Sequence, residues 1–123
     1  HYPLIYREEG SATRGIMENY FSDKPGSNNN RMELRSNESV KQAVLAGIGC
    51  SVMPIIGLKH ELASGELKII PRNDLPLYTN WYLIWLKGKK LPHASYAYLE
   101  SLKLEKDELI KRHFSWCEKY YSL

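Results

Sequence analysis

The chain has 123 residues, 43% hydrophobic and 25% charged, which is enough for one soluble globular domain with a single core. Its net charge of +3 is mild, and Lys and Arg are scattered among Asp and Glu with no basic stripe, which argues against a nucleic-acid groove. Two cysteines, Cys50 and Cys117, make neither a disulfide framework nor a metal spacing, and no apolar run approaches the roughly 20 residues of a membrane span.

Taken in chain order, Leu4-Ile5-Tyr6 is a short apolar run after Pro3 and predicts a buried strand. A turn of small polar residues follows. Ile16, Met17, Tyr20 and Phe21 then share one face of a helix. "SDKPGSNNN" is a loop punctuated by Pro25-Gly26, and "RMELRS" a second short strand. Ser36 or Asn37 caps the next helix, whose apolar face is Val40, Ala43, Val44, Gly47 and Ile48. "CSVMPI" is a third, nearly continuous apolar strand, with Cys50 as a small buried residue. "IGLKHELASG" is a short helix closed by Gly65, and "LKIIP" a fourth strand stopped by Pro71. This alternation predicts an α/β fold with a parallel sheet.

After residue 72 the rhythm changes. "RNDLPLYTN" connects to "WYLIWL", read as another apolar strand, and "KGKK" is a charged turn. From Pro92 the pattern is helical almost to the end. Leu99 and Leu102 continue a core face, and Ile110, Phe114, Cys117 and Tyr121 form a second stripe at spacings of four, three and four. The aromatic tail of Trp116, Tyr120 and Tyr121 is expected to be packed core.

Three chemical motifs are suggested and fail. Gly10-Ser-Ala-Thr-Arg-Gly15 is half of a phosphate-binding loop, but Ile16 and Met17 stand where Lys and Ser or Thr belong. "HEL" at His60 lacks the second zinc histidine, since position 64 is Ser64. His93 and His113 stand apart from any cluster, so no metal and no cofactor are assigned. Ser11 sits on a strand-to-helix turn, but Thr13 replaces the second glycine of a nucleophile elbow, and no histidine is paired with it. An enzyme is not expected.

The turn keeps a physical meaning. A helix N-terminus presents unpaired N–H groups and the positive end of the dipole. Gly10 permits close backbone approach, and Ser11 and Thr13 add hydroxyls. Such a turn holds a carboxylate, sulfate or phosphate, or else Ser11 or Thr13 simply caps the helix; the residues alone favour the cap.

Three stretches in order, "LIYREEGSATRG", "MELRSNESVKQAVLAGIGCSVMPIIGLKHELASGELKIIP" and "WYLIWLKGKKLPHASYAYLESL", resemble the C-terminal half of the effector-binding domain of LysR-type transcriptional regulators. The likeness covers roughly residues 3 to 103, with Glu8 to Arg14 matching the family's E-x-G-S-x-T-R turn. It implies an α/β fold with a parallel or mixed sheet and flanking helices. The type is that of the type-2 periplasmic binding proteins, with a small-molecule effector in the cleft between two subdomains. The first subdomain is largely missing. Residues 1–72 would form the second subdomain, 73–103 a return strand and helix toward the first, and 104–123 a helical extension. That extension would cover surface left by the missing half or pair two chains.

The resemblance shifts the turn toward ligand contact. It implies Gly10, Ser11, Ala12, Thr13, Asn37 and Glu38 as effector-binding residues, for an effector that is anionic, often a carboxylate. It also implies a cytoplasmic protein, a homo-oligomer (dimer or tetramer), no membrane contact, and DNA binding only through an absent N-terminal domain. The cysteine usage is compatible with a reducing compartment. No signal peptide is visible, and the chain opens on His1, so it reads as cut from something longer. A solute-binding protein of a transport system is the alternative with the same fold. A small transferase or hydrolase using Ser11 is the third class.

Overall fold

The structure is a computed structural model that describes residues 2–24 and 30–121. The centre of the loop expected at "SDKPGSNNN", residues 25–29, lies outside the described residues. The chain forms two compact units, His1–Ile69 and Ile70–Leu123.

In the first unit, strand β1 (Leu4–Arg7) leads into helix α1 (Ala12–Phe21), strand β2 (Arg31–Leu34) and helix α2 (Asn37–Leu45). A 3₁₀ turn (Ile55–Gly57) and helix α3 (Lys59–Ser64) follow. β1 and β2 are parallel, with Leu4 opposite Arg31 and Arg7 opposite Leu34. On its other edge β1 meets Cys50 in a parallel bridge at Leu4. The Ile5 N–H donates to the Cys50 carbonyl at 2.8 Å, and the Cys50 N–H donates to the Pro3 carbonyl at 3.0 Å. β1 is therefore central, as the strand–helix alternation requires of a parallel arrangement.

Side chains alternate across a strand, so Ile5 and Tyr6 face opposite sides. Ile5 packs with Val40 and Ala43 of α2, and Leu34, Val44 and Met53 close around them. Tyr6 is buried on the other side. There the Arg31 guanidinium lies 4.8 Å from its ring centroid, and burial raises the phenol pKa. Met17 is buried on α1, with Ile16, Tyr20 and Phe21 half-buried beside it, as the apolar face predicts.

Gly49 explains how the Cys50 segment reaches β1. A Cβ built there would stand 2.4 Å from the Pro3 carbonyl oxygen and 3.0 Å from Ile5 Cγ1. Only a residue without a side chain permits that approach.

α2 is capped as its sequence proposes: the Ser36 hydroxyl accepts from the Ser39 N–H at 2.9 Å, and Glu38 lies in the first turn. Ser36→Ala is expected to cost about 1 kcal/mol of stability, read by denaturant melts. Lys41 holds α2 to α3 by reaching Glu61 at 2.8 Å, and it also pairs with Glu38 at 3.0 Å. α3 ends at Gly65, as expected.

Several sequence expectations are corrected. "CSVMPI" contributes one bridge at Cys50 and then runs without ladder partners, and Cys50 is only half-buried. "LKIIP" and "WYLIWL" are not strands, and Ile70 and every residue of Trp81–Leu86 are exposed. An apolar run records a preference for extended chain, but a strand also needs a neighbour, and no described segment supplies one. Gly47 and Ile48 leave the α2 face and are exposed.

In the second unit helix α4 spans His93–Phe114 and passes into a 3₁₀ segment, Ser115–Tyr120. The helix is one continuous element of 22 residues, and Lys111, Arg112 and His113 in its last turn oppose its dipole. Its apolar stripe is not core: Ile110 and Phe114 are exposed, as is Tyr121, while Trp116 and Tyr120 are half-buried and Cys117 is buried. No described helix is long and apolar enough to cross a membrane.

Candidate functional site

Parallel β1 and β2 both deliver the chain to helix N-termini at the same end of the pair, α1 after β1 and α2 after β2. The carboxyl ends of parallel strands are where α/β folds bind ligands, because free N–H groups and positive dipole ends gather there.

The β1–α1 turn is built from Glu8 to Ser11. Gly10 takes a left-handed backbone with φ of 86°, a conformation a side chain would strain. It lets the Ser11 N–H donate back to the Glu8 carbonyl at 3.2 Å. Ser11 is the N-cap residue with extended backbone, yet its side chain makes no capping hydrogen bond. α1 has no acidic residue in its first turn, whereas α2 has both a serine cap and Glu38. Ala12 is exposed at the first position of α1, and Thr13 is half-buried one residue on. Ser11→Ala is therefore expected to leave stability nearly unchanged where Ser36→Ala lowers it, a pair read in the same melts.

Of the two α2 residues, Asn37 joins this corner. Its Oδ1 accepts a short hydrogen bond from Arg7 Nη1. Glu38 is tied along its own helix instead, to the Gln42 amide at 2.9 Å and to Lys41 Nζ at 3.0 Å, which lower its pKa. Gly10 to Thr13 and Asn37 thus stand around one strand end.

Sequence reasoning missed Arg7. It ends β1 and grips Glu8 with two hydrogen bonds, Nε to Oε2 at 2.7 Å and Nη2 to Oε1 at 2.8 Å, while its third arm reaches Asn37. The only signal was a cation at the end of an apolar strand, directly before an acid and a glycine turn. Arg14 pins the start of α1 similarly: Nη1 donates to the Arg7 carbonyl at 3.3 Å and to Glu33 on β2 at 2.5 Å, and Nε to Glu18 at 2.8 Å.

The Arg7 guanidinium holds the Glu8 carboxyl down to about 2 from its ordinary 4.5, helped by a backbone hydrogen bond. A carboxyl lowered in the folded state contributes stability above its unfolded value, lost as pH falls from about 4.5 toward about 2. The Glu8 side chain is expected to titrate near that low value by NMR, and Arg7→Met to return it to the ordinary carboxylate range.

No group of described residues has the makings of a metal site. The polar groups at this corner are N–H donors, two hydroxyls, one amide and an arginine already shared with a carboxylate.

An α/β unit with helix N-termini gathered at one end of a parallel strand pair is a ligand-binding type of architecture. The chain belongs to a known family of that kind: the family model described as "LysR substrate binding domain" matches residues 1–106. Over 100 residues it is 39% identical to the HTH-type transcriptional activator CmpR of Synechocystis sp., a match covering 81% of this chain and 33% of that protein. It is also 39% identical over 100 residues to the RuBisCO operon transcriptional regulator of Acidithiobacillus ferrooxidans, covering 81% and 32%. With the HTH-type transcriptional regulator CbbR of Rhodospirillum rubrum the identity is 36% over 100 residues, covering 81% and 34%. The chain spans about one third of the length of these curated relatives. No solved structure matches it. These similarities bear out the LysR resemblance read from the sequence.

Proposed function

We propose that this chain is the effector-sensing portion of a LysR-type transcriptional regulator and binds a small anionic metabolite at the α1 N-terminus. The observation that carries the reading is the uncapped start of α1 at the carboxyl end of β1, in a chain whose family is that of LysR substrate-binding domains. Gly10, Ser11, Ala12 and Thr13 offer N–H groups and hydroxyls to the anion. Asn37 borders it, and Glu38 sets the start of α2.

Arg7 enters the site by releasing Glu8. The ligand's negative charge replaces that of the carboxylate, so the guanidinium is never left without a counter-charge. The effector favours one cleft geometry over another, and this preference biases the arrangement of DNA-binding domains elsewhere in the protein. The chain itself has no catalytic step to perform.

Residues 1–72 act as one subdomain in this reading. The exposed Trp81–Leu86 segment and α4 through residue 103 complete the other subdomain, supplied by chain upstream. A partner sheet would bury the six apolar side chains that now face solvent, a favourable transfer of about 1.5–3 kcal/mol for each large one. The protein works in the cytoplasm as a homo-oligomer, with DNA contacted through its upstream domain.

The regulator is preferred to a solute receptor because the relatives named above are transcription regulators. Sequencing the gene upstream of His1 separates the two. A helix-turn-helix pattern is the expected result. A secretion signal leading into a first lobe would contradict it and make the protein a solute receptor.

A further inference from the structure

Helix α4 runs for 22 residues and buries none of its side chains. One of its faces is turned to its own chain: Ser95, Tyr98 and Leu99 line a cavity with Leu83, Ile84 and Trp85. Roughly 100° around the helix from that face runs a second stripe, Tyr96, Lys103, Asp107 and Phe114, and all four are exposed. Tyr96 and Phe114 stand about five turns apart, which is about 27 Å along the axis. Aromatic rings left in solvent at both ends of such a line are apolar surface with nothing against it: Tyr96 is 57% exposed and Phe114 42%.

The steps along the stripe are seven, four and seven residues, the same from either end. Its chemistry reverses about the midpoint. An aromatic closes each end, and a cation and an anion face each other across the middle. A stripe of this kind is complementary to itself when turned around. A two-fold axis at residue 105 sets Tyr96 against the partner's Phe114 and Lys103 against the partner's Asp107, and the symmetry makes each pair twice. In an antiparallel helix pair each flank meets the same flank of the other copy. Glu100 and Lys111 share one flank, and the same register brings Glu100 opposite the partner's Lys111. Ile110, exposed on the other flank, adds apolar area.

The charges are free to exchange partners. Lys103 pairs with Glu100 one turn back at 2.8 Å, an exposed pair of the kind that contributes little by itself. Asp107 and Lys111 make no ion pair among the described residues. Asp107 and Phe114 also lie beyond residues 1–106, where the match to the family's domain ends.

We propose that α4 is a self-pairing helix, along which two copies of this chain dock antiparallel through Tyr96, Lys103, Asp107 and Phe114. A homo-oligomer is already part of the proposed function; this surface assigns where two copies meet, apart from the anion site of the first unit.

Sedimentation equilibrium of the intact 123-residue chain tests it, in low salt so that the charged pairs are not screened. A monomer–dimer equilibrium is expected. Lys103→Glu and Asp107→Lys each put like charges into both symmetric pairs and are each expected to weaken the dimer roughly tenfold. The two together exchange the charges and are expected to restore the dimer to within about twofold, because the substituted residues face each other. A chain that stays monomeric would overturn the proposal. A dimer untouched by either single reversal would overturn it too, while leaving a homo-oligomer held by another surface, such as the exposed Trp81–Leu86 run. Dissociation by the single reversals without recovery in the double variant would overturn the two-fold register.

Discussion

Gly49→Ala is expected to lower stability by about 3 kcal/mol, the upper end of the range for forcing atoms into a filled space. The reason is the nature of the obstacle. The new methyl group would sit 2.4 Å from the Pro3 carbonyl oxygen, and that carbonyl accepts the Cys50 N–H bond that docks the third segment. A flexible side chain could move aside at little cost, but a paired backbone cannot. Ile5, whose side-chain carbons would lie at 3.0 and 3.1 Å from the same methyl, is itself in the core and fully buried. Gly15→Ala is the matching control. It lies inside α1 with no atom within 4 Å of an added Cβ, and is expected to gain about 0.5–1 kcal/mol. Urea melts followed by far-UV circular dichroism read both variants, and a neutral Gly49→Ala would contradict the close approach.

Ser11→Asp is expected to weaken anion binding at least tenfold while slightly raising the stability of the chain. The two effects have opposite sign because they have different causes. Aspartate is a better N-cap than a serine that caps nothing, and its charge suits the positive end of the α1 dipole, worth about 0.3–1 kcal/mol. The same charge occupies the place proposed for the ligand, and like charges at contact distance repel. If Ser11 served only as a cap, an aspartate would improve the helix and leave binding untouched. Thermal melts give the first quantity and a binding titration in low salt gives the second, since surface electrostatics is screened within about 10 Å at 0.1 M salt.

Much of the first unit was legible because its signals are local. Ser36 before Val40 and Ala43 marks a capped helix with one apolar face, and the helix forms there with those two residues buried. Leu4 to Tyr6 and "RMEL" are short runs that find each other, and their parallel pairing follows from the helix between them. "WYLIWL" carries the strongest apolar signal in the chain and forms no strand, because pairing belongs to two segments and the run describes one. The stripe from Ile110 to Tyr121 was misjudged for a related reason. Helical spacing says which residues share a face but not whether anything covers it, and here only Cys117 is buried. At the candidate site, the turn through Gly10 and the helix start after Ser11 could be read from the sequence. Arg7 could not, since its partner Asn37 lies 30 residues away and the contact exists only once β1 and β2 are side by side.

The most direct test of the account is a ¹⁵N–¹H NMR titration of this chain with a panel of small carboxylates, inorganic sulfate and inorganic phosphate. Weak binding is sufficient for such a measurement. The account predicts that at least one anion shifts the amides of Ser11, Ala12 and Thr13 together with the Asn37 side chain, that the shifts saturate, and that Ser11→Asp abolishes them. Saturable shifts centred elsewhere, or shifts at Ser11 to Thr13 that survive Ser11→Asp, would contradict the assignment of the α1 N-terminus as the effector site.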